Sequence, residues 1–172
     1  MTVSGTMRAI DEARGAIRVE RVYDTDIDDL WGACTTPERL ARWIAEVSGD
    51  LREGGRLSVM FTSAWTGPAT IEVCEAPHHL LLTTGAEDES QVEAWLTVEG
   101  AQTRLVVEER GLPVGSLHFY GAGWEAHLED LATALASEGP VHPDGWSADE
   151  PAAAWKARWE ELTPAFEAAA VS

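Results

Sequence analysis

The sequence predicts an α+β domain in which a curved antiparallel sheet of about six or seven strands wraps one long C-terminal helix, leaving an apolar cavity between them. Three observations predict it. Residues 53–110 read as short alternating runs divided by turn residues, and an apolar stripe at helical spacing runs from Leu117 to Leu135. Between the first strand and this meander lie two short segments with helix-start signals.

Residues 1–15 mix Gly, Ser, Arg and acids without a strand period and read as a loose leader. From Ile17 the chain alternates, and Ile17, Val19 and Tyr23 share one face of a strand. Asp24-Thr25-Asp26 supplies N-cap oxygens for a short helix carrying Ile27, Leu30, Trp31 and Cys34 on one side. Thr36 and Pro37 open a second helix with Leu40, Trp43 and Ile44 on its apolar face.

The meander follows. Arg56–Trp65 places Leu57, Val59, Phe61 and Trp65 together, and Thr66-Gly67-Pro68 reads as the turn into 69–76. Leu80–Leu82, Val92–Val98 and Thr103–Arg110 are the next strands. In the last, Leu105 and Val107 face inward, which puts Glu109 on the same face. Residues 111–115 read as a loop that releases the chain into a helix over 116–137. Its stripe is Leu117, Tyr120, Trp124, Leu128, Leu131 and Leu135, with His127 at one edge and Gly121 at the other. Residues 140–150 read as a linker, and Trp155, Trp159, Leu162 and Phe166 form one face of a last helix that covers the domain or meets a second subunit. The expected organisation is thus a leader (1–15), a core domain (16–139) and a linker with a Trp-rich helix (140–172).

Composition narrows the function. A net charge of −18, with Lys156 the single lysine, repels phosphate backbones and anionic lipid, so neither nucleic acid nor membrane is an expected partner. No stretch approaches the roughly 20 apolar residues that span a bilayer, and no export signal is legible, so a cytoplasmic location is expected. Cys34 and Cys74 form no disulfide framework or zinc spacing. Cys34 reads as a small buried hydrophobe. Cys74 alternates out of phase with Ile71 and Val73, towards the convex face. His78 and His79 point to opposite faces of a strand and cannot readily share an ion; His118, His127 and His142 lack ligand spacing, so no metal or cofactor is expected.

Four segments, in order, resemble a known family. They are Thr35-Thr36-Pro37-Glu38-Arg39-Leu40-Ala41-Arg42-Trp43; Asp50 to Leu57 with its Gly54-Gly55 hairpin; Gly100 to Val107 with Glu109-Arg110-Gly111; and Gly123-Trp124 followed by Leu128 and Leu131. They look like the START-like, or SRPBCC, superfamily, within it the activator of heat-shock-protein ATPase homologue group, over about residues 17–139. The resemblance implies the helix-grip fold.

The leading expectation is a binding protein for a small hydrophobic or aromatic molecule, contacted by Trp31, Val59, Phe61, Trp65, Leu105, Val107, Tyr120, Trp124, His127 and Leu128. Glu109, Tyr120, Trp124 and His127 are expected to converge at the cavity mouth, because the last strand feeds directly into the long helix. Alternatively Tyr120 and Trp124 fill the core while Glu109 and His127 are solvated edges. If converged, Glu109, Tyr120 and His127 are the candidate catalytic groups for a second reading, a cyclase-, dehydratase- or hydrolase-like enzyme. A third reading is an ATPase-activating co-chaperone or adaptor. There the acidic surface and the face of Trp155, Trp159, Leu162 and Phe166 would meet a protein partner or a second copy.

Overall fold

The computed structural model describes residues 5–87 and 89–172. Its sheet has eight antiparallel strands: β1 (Gly5–Ala9), β2 (Arg14–Tyr23), β3 (Ala45–Gly49), β4 (Arg56–Phe61), β5 (Thr66–Glu75), β6 (His79–Thr84), β7 (Ser90–Glu99) and β8 (Gln102–Pro113), in spatial order β1-β2-β8-β7-β6-β5-β4-β3. Helices α1 (Ile27–Thr35) and α2 (Pro37–Trp43) carry the chain from β2 to the far edge of the sheet. The long helix α3 (Leu117–Ala136) lies in its concave face, and α4 (Ala153–Ala168) packs behind α3. This is the helix-grip arrangement, with more strands than the sequence suggests.

Alternation sets the core. Ile17, Val19 and Tyr23 of β2 are buried as their spacing requires, as are Leu105 and Val107 of β8. The Tyr23 hydroxyl donates to the Leu128 carbonyl at 2.7 Å, which ties α3 to the sheet, and burial pushes the phenol pKa upward. Asp26 caps α1 by accepting from the Asp29 N–H at 2.8 Å. Thr36 forms no side-chain cap, and Pro37 opens α2.

Several elements differ from the sequence reading. Gly5–Ala9 is a strand rather than a leader, because pairing with β2 supplies an order that its own composition does not; residues 1–4 lie outside the described residues. The additional strand β3 pairs only with β4 and is too short for a period to show. The β4–β5 turn falls at 62–65, with Ala64 at φ 73°, so Trp65 sits in the turn and Thr66-Gly67-Pro68 lies inside β5. Pro68 is retained there through its carbonyl, which accepts from the Gly85 N–H at 2.9 Å.

Gly111-Leu112-Pro113 continues β8 instead of forming a loop. Gly15 pairs with Leu112 and Ala16 with Arg110, which leaves Gly111, at φ 86°, as the extra residue of a bulge. A second bulge between Ile71 and Val73 inverts the parity of β5, so Cys74 packs on the main core instead of the convex face.

The segment read as a linker is docked. The Val141 N–H donates to Arg42, the His142 ring contacts Asp130 at 2.8 Å, the Trp146 indole donates to Met60, and the Ala152 N–H donates to Thr62. Helix α4 covers the domain: Trp155, Leu162 and Phe166 are buried with Met7, Ile17 and Leu117 in a second core. Of the two expected roles for this face, covering the domain is the one seen, since α3 presents Gly121, Ala122 and Ala126 as a small-residue surface on which these large side chains close. The last residues return to the sheet edge, where the Ala9 N–H donates to the Ser172 carbonyl at 2.8 Å. Among the described residues no helix is long and apolar enough to cross a membrane.

Candidate functional site

Two spaces lie between the sheet and the helices. The outer cavity, about 510 Å³, opens where the ends of β7 and β8 meet the first turns of α3 and the start of α4. A second, apolar space of about 160 Å³, here the inner chamber, lies between the sheet and α2 and is lined by residues including Leu57, Ile71, Leu82 and Leu105. Phe61, Thr84, Val92 and Trp124 belong to the walls of both. Together the spaces fall within the usual range of small-molecule sites.

Inward parity on adjacent strands delivers the polar groups of the outer cavity. Ser90 shares a face with Val92, Ala94 and Leu96 of β7, and Glu109 shares one with Leu105 and Val107 of β8. The Trp124 indole N–H donates to Glu109 Oε1 at 2.8 Å, and Ser90 Oγ donates to Oε2 at 2.9 Å. Ser90 has one hydroxyl proton, so Thr84, 2.6 Å away, donates to Ser90 in turn. Burial raises the Glu109 pKa, while the Trp124 and Ser90 hydrogen bonds oppose that rise.

Glu109 and Trp124 are thus directly joined, and Tyr120 and His127 line the same cavity. Tyr120 stands at the mouth, 38% exposed, rather than in the helix stripe's core. Its pKa is raised by partial burial and then by the nearby Glu109 and Glu89 carboxylates. His127 is buried, not a solvated edge, because α4 closes over that side of α3. Its Nδ1 lies 3.4 Å from Thr62 Oγ1, and its ring stacks on Trp155 and meets Trp124 edge-on. Burial, with His142 adding to it, lowers its pKa to about 3, so the imidazole is neutral near pH 7.

The remaining expected contacts divide between the spaces. Trp65 faces the outer cavity; Val59, Leu105 and Val107 face the inner chamber; Phe61 contributes to both. Trp31 and Leu128 line neither: Trp31 packs on α1 against the core, and Leu128 is fully buried at the α3–sheet contact. His78 and His79 lie away from both cavities. His79 bridges Glu75 and Glu93 and stacks on Trp95, while His78 Nδ1 approaches the Leu96 carbonyl at 3.2 Å. No group of acidic, His or Cys side chains among the described residues has metal-site geometry.

Sequence reasoning missed Ser90, Phe119 and Cys74, and it assigned Trp155 and Trp159 elsewhere. Ser90 was legible, because extending the alternation of β7 back by two residues places it beside Val92. The α4 rings were not, since their destination depends on how α4 folds back. Trp155 stacks on His127, Trp159 on Trp155, and Phe119 is tilted against Trp159, a continuous run of rings along the mouth. The Trp159 indole is fixed by donation to the Phe119 carbonyl at 2.9 Å, whereas Trp155 Nε1 is buried with no hydrogen-bond partner among the described residues.

A curved antiparallel sheet gripping a long helix is the architecture of a START-like, or SRPBCC, protein. Within that class the chain belongs to the family described as activator of Hsp90 ATPase homolog 1-like protein, whose sequence model matches residues 24–136. Among solved structures it is similar to CalU16 from Micromonospora echinospora. The crystal structure is 30% identical over 95% of this chain and 94% of that one, with a TM-score of 0.71. The solution structure is 32% identical over 96% and 92%, with a TM-score of 0.73. DynU16, a protein in the dynemicin biosynthetic locus, is 27% identical over 73% of this chain and 49% of its own length, with a TM-score of 0.68. Among curated proteins none matches.

Proposed function

We propose that this protein binds a small hydrophobic or aromatic molecule in the outer cavity and the smaller apolar space beside it. The observation that carries this reading is the outer cavity of about 510 Å³, walled by aromatic rings and continuous in its lining with a smaller apolar chamber. Transfer of apolar ligand area out of water contributes about 25 cal/mol per Å², so such walls support micromolar affinity. The likeness to DynU16, a protein in the dynemicin biosynthetic locus, is consistent with a small-molecule ligand.

The polar groups favour binding over catalysis. Glu109 is held by two donors, an arrangement that fixes a carboxylate more than it frees a proton. His127 is neutral and sandwiched by rings, and its recorded polar contact is Thr62 rather than Glu109.

Thermal-shift screening of aromatic metabolites tests the proposal. A ligand at a hundred times its Kd stabilises by about 2.7 kcal/mol and raises Tm accordingly. Val92→Trp, which adds bulk at a position lining both spaces, is expected to abolish the shift while the circular dichroism spectrum persists. Absence of a shift with every compound, or an unaltered shift in Val92→Trp, would overturn the reading.

A further inference from the structure

The outer cavity combines two features that favour one kind of ligand charge. Its walls carry the rings of Trp65, Phe119, Tyr120, Trp124, Trp155 and Trp159. Its ionisable lining includes Glu89 and Glu109, with Arg14 the cation among the described lining residues. Arg14 is turned to other work: its guanidinium donates to the Gly111 carbonyl at 2.9 Å in an exposed position. His127 contributes no charge near neutral pH.

Glu109 has capacity left. An ionised carboxylate offers about four acceptor sites, and Trp124 and Ser90 occupy two of them. The group lines a cavity walled by aromatic rings, where a bare carboxylate is costly and a paired one less so. Aromatic faces are themselves attractive to cations, and a desolvated ammonium beside them gains further.

From this juxtaposition we infer that the ligand is an organic amine, its ammonium seated on Glu109 among the aromatic walls and its apolar body extending past Trp124 towards the inner chamber. This rests on the ligand-binding reading above and specifies the ligand's charge. The inner chamber, about 160 Å³, matches the roughly 150 Å³ of an apolar cavity that accepts a benzene ring, so it accommodates one ring or a short alkyl group. A carboxylate ligand is disfavoured, because it would approach Glu89 and Glu109 inside a chain of net charge −18. A neutral hydrocarbon would bury Glu109 without offsetting its charge.

Three probes with one ring system separate these cases: 1-naphthylmethylamine, 1-naphthalenemethanol and 1-naphthoic acid, titrated calorimetrically at pH 7.5 into the full chain. The amine is expected to bind about tenfold more tightly than the alcohol, a difference of the size a charge-assisted hydrogen bond provides, and the acid most weakly. In Glu109→Gln the ratio of amine to alcohol affinity is expected to fall to about one. Equal binding of amine and alcohol to the wild-type chain, or preference for the acid, overturns the assignment while leaving a hydrophobic pocket intact. Failure of all three to bind overturns the assignment and the ligand-binding reading together. The wild-type comparison decides without depending on the variant's folding.

Discussion

The Trp124 indole N–H donates to Glu109 Oε1 at 2.8 Å, joining the long helix to the last strand across the space they enclose. The bond acts on both partners: it orients a ring that lines both the outer cavity and the inner chamber, and it steadies a carboxylate that burial disfavours. Trp124→Phe removes the donor and keeps a ring. We expect a loss of about 1–3 kcal/mol in urea denaturation at pH 8, the cost of an unmet buried polar group, and a smaller loss at pH 5. An equal loss at both pH values would mean that packing, not the hydrogen bond, is what the ring contributes.

The pH dependence of Glu109 follows from its raised pKa. Between the ordinary value of 4.5 and the raised value, the native state holds more protons than the unfolded chain. Stability from this group is therefore present at low pH and declines as pH rises through that window. Glu109→Gln is expected to flatten the decline, read as urea midpoints from pH 4.5 to pH 8.

His127 works in the opposite sense. Its pKa falls from 6.5 to about 3, so between those values the unfolded chain binds the additional proton and stability drops as pH falls. The limiting slope is about 1.4 kcal/mol per pH unit. His127→Phe is expected to lessen acid sensitivity between pH 6 and pH 4.5, and a slope unchanged by the substitution would refute the assignment. Because the Glu109 and His127 windows overlap, the wild-type profile is a compromise that only the two single variants resolve.

Both thiols are expected to react slowly in the native protein. Burial pushes Cys34 up to about 12 and also raises Cys74, with Glu53 adding to the latter. At pH 8 a thiol titrating near 12 has roughly a thousandfold less thiolate than one at 9. Cys34 should therefore label only on unfolding. Single Ser variants assign the signals, and rapid native labelling of Cys34 would contradict its enclosure.

The seat of α4 is tested at Gly121. A Cβ there would approach Phe166 Cδ1 to 2.6 Å, and the fully buried ring has no free volume into which to retreat. Gly121→Ala is expected to destabilise by about 1–3 kcal/mol despite its better helix propensity. Phe166→Leu in the same chain should recover part of that loss, which a double-mutant cycle measures as coupling.

Much of this architecture is legible in the residue pattern. The Asp26 cap of α1 and the proline start of α2 follow from local residue chemistry, and the parity of β2 and β8 and the inward position of Glu109 follow from the period of 2. What escapes is whatever depends on pairing or docking. Gly5–Ala9 is a strand because β2 is beside it, and the face reached by Cys74 depends on a bulge that no local signal marks. Counted in strict alternation Cys74 points out, and one unpaired residue reverses the count. The Trp155 and Trp159 stripe correctly announces an amphipathic helix, but an amphipathic face does not say whether its cover comes from the same chain. His127 lines the cavity, and the solvated-edge alternative fails there because a helix edge is solvated only until another helix lies on it.

The return of α4 also separates inheritance from selectivity. The family match ends at residue 136, yet Trp155 and Trp159, which wall the outer cavity, come after it, and Arg14 comes before its start at residue 24. The shared segment supplies six of the eight strands and the long helix; β1, β2 and part of the rim lie outside it. Two relatives can therefore agree over the shared segment and still differ around the outer cavity. Exchanging their terminal helices would exchange the part of that lining that Trp155 and Trp159 supply.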